Sequence, residues 1–355
     1  MIDRVVGKYK ILAQIGEGGM GVVYRAQHVV LGSPAAIKIL LPQFTRDPVV
    51  VERLFTEAKA SSAIRHPGIV EVFDYGHTGD ITYIAMELLR GESLQNFLTR
   101  NHKLSASLAA QIAAQMFAAL DAVHVRGVVH RDLKPDNVFL VRDRTAPGSI
   151  RIKLLDFGIA KLVGEPSTPR IKTKGGVILG TPAYMAPEQC RGGSGEIDAR
   201  ADLYAVGCIL FQMLTGRPPF DAEGSGEVMA MHIYEPPPRL HSLQPKLPVE
   251  LDALLAKLLV KRAEDRIPSA AFALAALERA PIEPLFIEIP LVDGISAVQL
   301  PELPEREGLP WWIPVLVLVL ALAIAGAAVY FIGMRGDVIP KRRSSLAAAP
   351  TCTVG

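Results

Sequence analysis

From Tyr9 onward, apolar positions alternate over short runs in YKILAQI (9–15), VVYRAQ (22–27) and AAIKIL (35–40), the period of β-strands. Adjacent β-branched and aromatic residues favour strand over helix, so the glycine run GEGGMG (16–21) between the first two is predicted to turn a hairpin. One stretch in this region, VVVERLFTEAKASSAI (49–64), reads as a helix. Beyond about residue 93 the period lengthens. In LSASLAAQIAAQMFAALDAVH (104–124), Leu108, Ile112, Met116, Leu120 and His124 recur every four positions, with Ser105 or Ser107 placed to cap the start. ADLYAVGCILFQMLTG (201–216) is apolar nearly all round and stops at Gly216, as a buried central helix would. The pattern therefore predicts an α+β chain, strand-rich with one helix at first and mainly helical afterwards.

The last quarter differs. Residues 281–310 carry six prolines and no sustained period, the composition of an extended linker. Residues 311–334 contain no charge, and as a helix rising ~1.5 Å per residue they would cross a hydrocarbon layer ~30 Å thick. Trp311, Trp312, Tyr330 and Phe331 sit at the two ends, where aromatic belts form. The expectation is one transmembrane helix in the cell membrane, followed by a short basic tail (335–355). Ala321, Ala325 and Ala328 offer a small-residue face for a homodimer. The flanking charges, Arg335, Lys341, Arg342 and Arg343 after the segment against Arg306 before it, favour a cytoplasmic tail.

Composition narrows the function classes. With 38 basic and 36 acidic residues and a net charge of +2, binding of nucleic acid through bulk charge has no support. Cys190, Cys208 and Cys352 are odd in number and form no C-x-x-C pair, against a disulfide framework or zinc site. MIDRVVGKYKILAQ at the N-terminus lacks the apolar core of a signal peptide.

Glycines spaced G-x-G-x-x-G either turn a strand into a helix under a dinucleotide or form a hairpin flap over ATP phosphates. Strand on both sides, and Lys38 where a dinucleotide site would want a carboxylate, favour the flap. Further on come HRDLKPDN (130–137) and, after strand-like IRIKLL (150–155), DFG (156–158). With these motifs in this order, residues 9–280 resemble the protein kinase family, in particular the eukaryotic-type serine/threonine kinases that bacteria also make. The resemblance implies a bilobal protein kinase fold over residues 1–280. Its β-rich N-lobe with one helix would take about 1–89, and its mainly helical C-lobe about 90–280.

It also implies roles. Backbone groups of Gly16, Glu17, Gly18, Gly19 and Gly21 would cradle phosphates, with Val23 and Ala36 on one face of the adenine and Phe139 on the other. Met86 would bound the pocket behind it, and backbone groups of Glu87 and Leu89 would meet its edge. Lys38, oriented by Glu57, with Glu52 the less favoured candidate, would hold the α- and β-phosphates. Asp132 would take the proton of the acceptor hydroxyl, beside Lys134 on the γ-phosphate, a lysine typical of Ser/Thr kinases. Asn137 and Asp156 would bind Mg²⁺, for which Mn²⁺ can substitute. Asp202 would fix the catalytic loop from below.

GTPAYMAPE (180–188) resembles the end of an activation loop that shapes a protein-substrate platform, with Thr181 at the substrate site. Glu188 would pair with Arg266, although EDRIPS lacks the Arg-Pro ending usual there. Thr173 and Thr168 are the candidates for autophosphorylation, with Arg131 as the phosphate's partner. The implied whole is a membrane-anchored Ser/Thr protein kinase using ATP and acting in signal transduction, its catalytic domain on the cytoplasmic side where ATP is. Two alternatives are a pseudokinase scaffold, opposed by Lys38, Asp132, Asn137 and Asp156, and a small-molecule kinase, opposed by the platform segment.

Overall fold

The computed structural model describes residues 1–18, 21–45, 51, 52, 55, 59, 62, 64–156, 182–192 and 197–283. The chain divides into two units at residue 298; all of the second, with the 311–334 segment, lies outside the described residues.

The first unit begins with strands β1 (Val5–Val6), β2 (Tyr9–Gly18), β3 (Gly21–His28), β4 (Pro34–Leu40), β5 (Val72–Thr78) and β6 (Ile81–Met86), and a single helical turn α1 (Pro42–Thr45) follows β4. The strands form one antiparallel sheet in the order β1-β2-β3-β4-β6-β5. β4 is buried on both faces after its first residue. Ile37 and Ile39 pack with Ile11, Tyr24, Ala26 and Tyr83 on one side. The two-residue period then turns Lys38 to the other side, where it is 8% exposed. In the 49–64 stretch read as a helix, the described residues 51, 52, 55, 59 and 62 are helical, and Ile64, also described, is not.

A second antiparallel sheet, β7 (Gly91–Ser93), β8 (Val138–Arg142) and β9 (Ile150–Leu154), opens the helical half. Its helices are α2 (Leu94–Asn101), α3 (Ala106–His124), α4 (Pro187–Arg191), α5 (Arg200–Thr215), α6 (Ser225–Tyr234), α7 (Leu240–Leu243), α8 (Val249–Leu258) and α9 (Ala270–Glu278). Of the two serines that could cap α3, Ser105 does so, accepting from the Leu108 amide. α5 is the axis. Every residue from Ala201 to Leu214 is buried, and the helix ends at Gly216 in a left-handed cap with φ of 88°. α3 packs against α5, α9 and β9. Among the described residues, α3 is the helix long and apolar enough to cross a membrane. Its burial in this core, from Leu108 to Val123, accounts for that composition.

Glu188 and Arg266 do pair, without the proline. The Arg266 Nη1 and Nη2 groups donate to Glu188 Oε1 and Oε2 at 2.7 and 2.6 Å. The guanidinium also donates to the Val260, Arg200 and Lys261 carbonyls and lies 4.9 Å from the Tyr204 ring centroid. All five of its N–H bonds thus have a carboxylate or carbonyl at hand, which permits a side chain with 0% exposure. Arg266→Met removes the cation and leaves the Glu188 carboxylate, 21% exposed, without it. The expected loss is about 3–5 kcal/mol of unfolding free energy, read as a lower urea midpoint at unchanged slope. A midpoint equal to wild type would mean that the pair carries no stability.

Candidate active site

The loop of residues 130–137 crosses the top of the helical half, and a carboxylate buried beneath it sets its course. Asp202, in the first turn of α5, is 1% exposed. Its Oδ2 accepts the His130 amide and the Nε2–H of His124, and its Oδ1 accepts the Arg131 amide, all at 2.8 Å. The expected support from below is therefore direct. Sequence reading did not single out His124 for it, because its four-residue period made it one more core position of α3.

Asp132 follows on this loop. Asn137 Nδ2 donates to its backbone carbonyl at 2.7 Å and to its Oδ2 at 3.2 Å, and Lys134 Nζ stands 3.4 Å from the same Oδ2. A carboxylate held between an amide donor and an ammonium can accept a proton from a hydroxyl brought to it. Lys134 then leaves a positive charge beside any anion placed there.

Asp156 is reached from β9 and sits at φ of 49°, a left-handed conformation in a non-glycine residue. Its Oδ1 accepts from Lys38 Nζ at 2.7 Å, across from the first sheet. Desolvation works to raise the Asp156 carboxyl. The Lys38 ammonium, by charge and hydrogen bond, with His130 and Lys134 behind it, outweighs that and holds it below the ordinary carboxylate range. It is thus an anion at neutral pH. Glu57, expected beside Lys38, lies outside the described residues, as do Gly19, Thr168, Thr173 and Thr181.

The chemistry of these groups suits Mg²⁺ bound with phosphates. With Asn137 Nδ2 turned to Asp132, its Oδ1 is the amide's remaining ligand atom, and Asp156 has a second oxygen besides the one on Lys38. Both are hard donors. Among the described residues no cluster of three or more His, Cys, Asp or Glu side chains could hold a metal alone. A divalent ion here would draw further oxygens from phosphate and water.

The register places Val23 opposite Lys38, Lys38 opposite Ile84 and Ala36 opposite Met86, so these five share one face of the first sheet. Phe139 stands on β8, half-buried. The glycines divide by role. A Cβ at Gly18 would meet nothing within 4 Å and one at Gly16 only Val23 Cβ at 3.8 Å, which leaves backbone open to a phosphate. At Gly21 a Cβ would lie 2.3 Å from the Ile39 carbonyl oxygen. Close packing on β4 is thus a second reason for glycine at this position, beside the phosphate role expected of its backbone.

Two features had no signal in the sequence. Glu87 Oε1 accepts from Lys153 Nζ at 2.5 Å and from the Glu71 amide at 2.8 Å, while Lys153 also reaches the Ile69 carbonyl at 3.2 Å. With the Glu87 side chain committed there, an adenine edge at residues 87–89 meets backbone. Tyr184, in the segment before α4, donates to Gln212 Oε1 at 2.6 Å, and burial pushes its hydroxyl pKa up so that it stays a donor. These partners are 16 to 84 residues apart, beyond the reach of local periodicity.

A family model described as protein kinase domain matches residues 9–276. The chain is 41% identical to serine/threonine-protein kinase Pkn1 of Myxococcus xanthus, over 78% of this chain and 42% of that one. It is 37% identical to serine/threonine-protein kinase PknH of Mycobacterium tuberculosis, again over 78% and 42%. The crystal structure of the M. tuberculosis PknI kinase domain superposes with a TM-score of 0.62 at 28% identity, covering 78% of this chain and 98% of that domain. The chain thus spans about two fifths of the length of these two curated relatives.

Asp132→Asn keeps the shape at the centre of this loop and removes the carboxylate that could take a proton. Transfer from ATP to a protein acceptor is expected to fall by about 10²–10⁴-fold, with ATP affinity, measured by titration calorimetry, near wild type. Transfer within a few-fold of wild type would remove Asp132 from the base's role.

Proposed function

The chain belongs to the protein kinase family, and we propose that the protein moves the γ-phosphate of ATP to serine and threonine hydroxyls of other proteins. The observation that carries this reading is the loop of residues 130–137, held on Asp202 and carrying Asp132, Lys134 and Asn137, with Asp156 beside it through the Leu155 amide on the Asn137 carbonyl and Lys38 reaching Asp156 from the first sheet. Asp132 accepts the hydroxyl proton, Lys134 faces the anion, and Gly16, Gly18 and Lys38 receive the phosphates. Mg²⁺ on Asn137 and Asp156 would neutralise phosphate charge when bound. The resemblance of Lys134 to the Ser/Thr branch supports hydroxyls of serine and threonine over tyrosine. The intact charged set weighs against a scaffold that only binds.

Autophosphorylation at Thr173, or secondarily Thr168, would give Arg131 a phosphate partner. Incubating the full chain with Mg²⁺, ATP and casein, then mapping phosphate by mass spectrometry, tests both points. Phosphate on casein with both threonines bare would end the autophosphorylation reading; no phosphate anywhere would end the kinase reading.

The proposal extends to place. Residues 1–280 act as the catalytic domain, 281–310 as a linker, 311–334 as a single span and 335–355 as the tail, with the catalytic domain on the cytosolic side and Ala321, Ala325 and Ala328 available for pairing in the bilayer. Apolar length supports the span and ATP supply supports the orientation, while the basic flank after the segment opposes it. A C-terminal reporter active only outside the cytosol is expected to be active. If it is silent while a cytosolic reporter works and the protein sediments with membranes, the chain does not cross.

A further inference from the structure

Arg131, the residue before Asp132, has φ of 63°. For a non-glycine residue this left-handed conformation costs about 1–2 kcal/mol, and it persists only where the surroundings over-determine it. Its N–H is held by Asp202 Oδ1 at 2.8 Å. Its C=O is held by a different element: Gln189, in α4, donates to it from Nε2 at 2.9 Å. The other end of the same amide, Oε1, accepts the Ala186 N–H at 3.0 Å. These partners fix which end is which, since a carbonyl can only accept and an amide N–H only donate.

The Arg131 carbonyl shares a peptide plane with the nitrogen of Asp132. Holding that oxygen sets the rotation of the plane from which the base projects. The Ala186 amide belongs to the segment Pro182–Ala186, which reads as the floor for the protein substrate. One side chain thus joins the two. With Arg131, Asp132, Lys134, Tyr184 and Met185, Gln189 also lines a recess between loop and floor. The floor has other anchors, Tyr184 on Gln212 and Glu188 on Arg266, so the fold does not depend on this amide.

We infer that Gln189 is a positioning residue for Asp132, tying the orientation of the base to the seating of the substrate floor. The inference rests on the kinase reading above and adds a coupling to it. A floor that lifts pulls on the carbonyl beside the base, and a floor that seats restores it.

The test uses the full chain with Mg²⁺, ATP and casein. Gln189→Glu keeps the length and an oxygen for Ala186 but has no N–H for the Arg131 carbonyl; Gln189→Met keeps the length and neither bond. Both variants are expected to lower kcat by about 10- to 100-fold, the scale of a small misplacement of a catalytic group. KM for ATP and the thermal midpoint should stay near wild type. Gln189→Glu with wild-type kcat, alongside Gln189→Met raising only the KM for casein, would assign the residue to the floor alone and overturn the inference. Loss of kcat that follows a fall in thermal midpoint across both variants would overturn it as well, as a purely structural effect. A wild-type chain without transfer would instead sink the kinase reading, and the inference with it.

Discussion

A buried carboxylate with three donors is the constraint on which the catalytic loop depends. Asp202 takes the amides of His130 and Arg131 and the ring N–H of His124, so both of its oxygens are hydrogen-bonded. Uncompensated, an ionised carboxylate in so apolar a helix would carry a large desolvation cost. With three hydrogen bonds it becomes the reason that a loop crossing the core has one conformation. The strained Arg131, the carboxylate of Asp132 and the amide of Asn137 all follow from that anchor along the loop.

Charge does comparable work across the cleft. Lys38 is confined by the strand period to the face opposite the Ile37 and Ile39 cluster, and Asp156 is brought to it from 118 residues away. Neither sheet alone would make a phosphate site. The pairing lowers the proton affinity of Asp156 and so keeps a hard anion ready for a metal at neutral pH.

The elements were largely legible because their causes are local. Alternation in YKILAQI and VVYRAQ, the four-residue period of 104–124, and an apolar helix stopped by Gly216 each follow from a handful of neighbours. Lys38, Asp132, Asn137 and Asp156 were legible as a set through motif order, and the structure brings Lys38 to Asp156 and Asn137 to Asp132. What could not be read were side chains whose partners lie far along the chain. Lys153 lies within the strand-like run IRIKLL and Gln189 just past GTPAYMAPE, with nothing local to mark either, yet each ties two segments together. Arg266 shows the converse. The missing proline counted against its pairing with Glu188, but the arginine is placed by three carbonyls and a carboxylate, none of which requires a proline.

The tie between Glu87, Lys153 and Glu71 bears on how the two halves move. Residues 68–71 are already bonded to β9 through the Gly68 carbonyl, the Val70 amide and Leu154, and Lys153 fastens Glu87 to the same strand. On the far side, Gly91 is pressed against β8, where a Cβ would lie 1.9 Å from the Leu140 carbonyl oxygen. Flexure in this connection is therefore confined to Leu88, Leu89 and Arg90. Of the two residues whose backbone is expected to meet an adenine edge, Leu89 lies in this pivot and Glu87 is fastened at its border. A change of angle between the halves would therefore move one of the two groups that would hold a base and leave the other on β9.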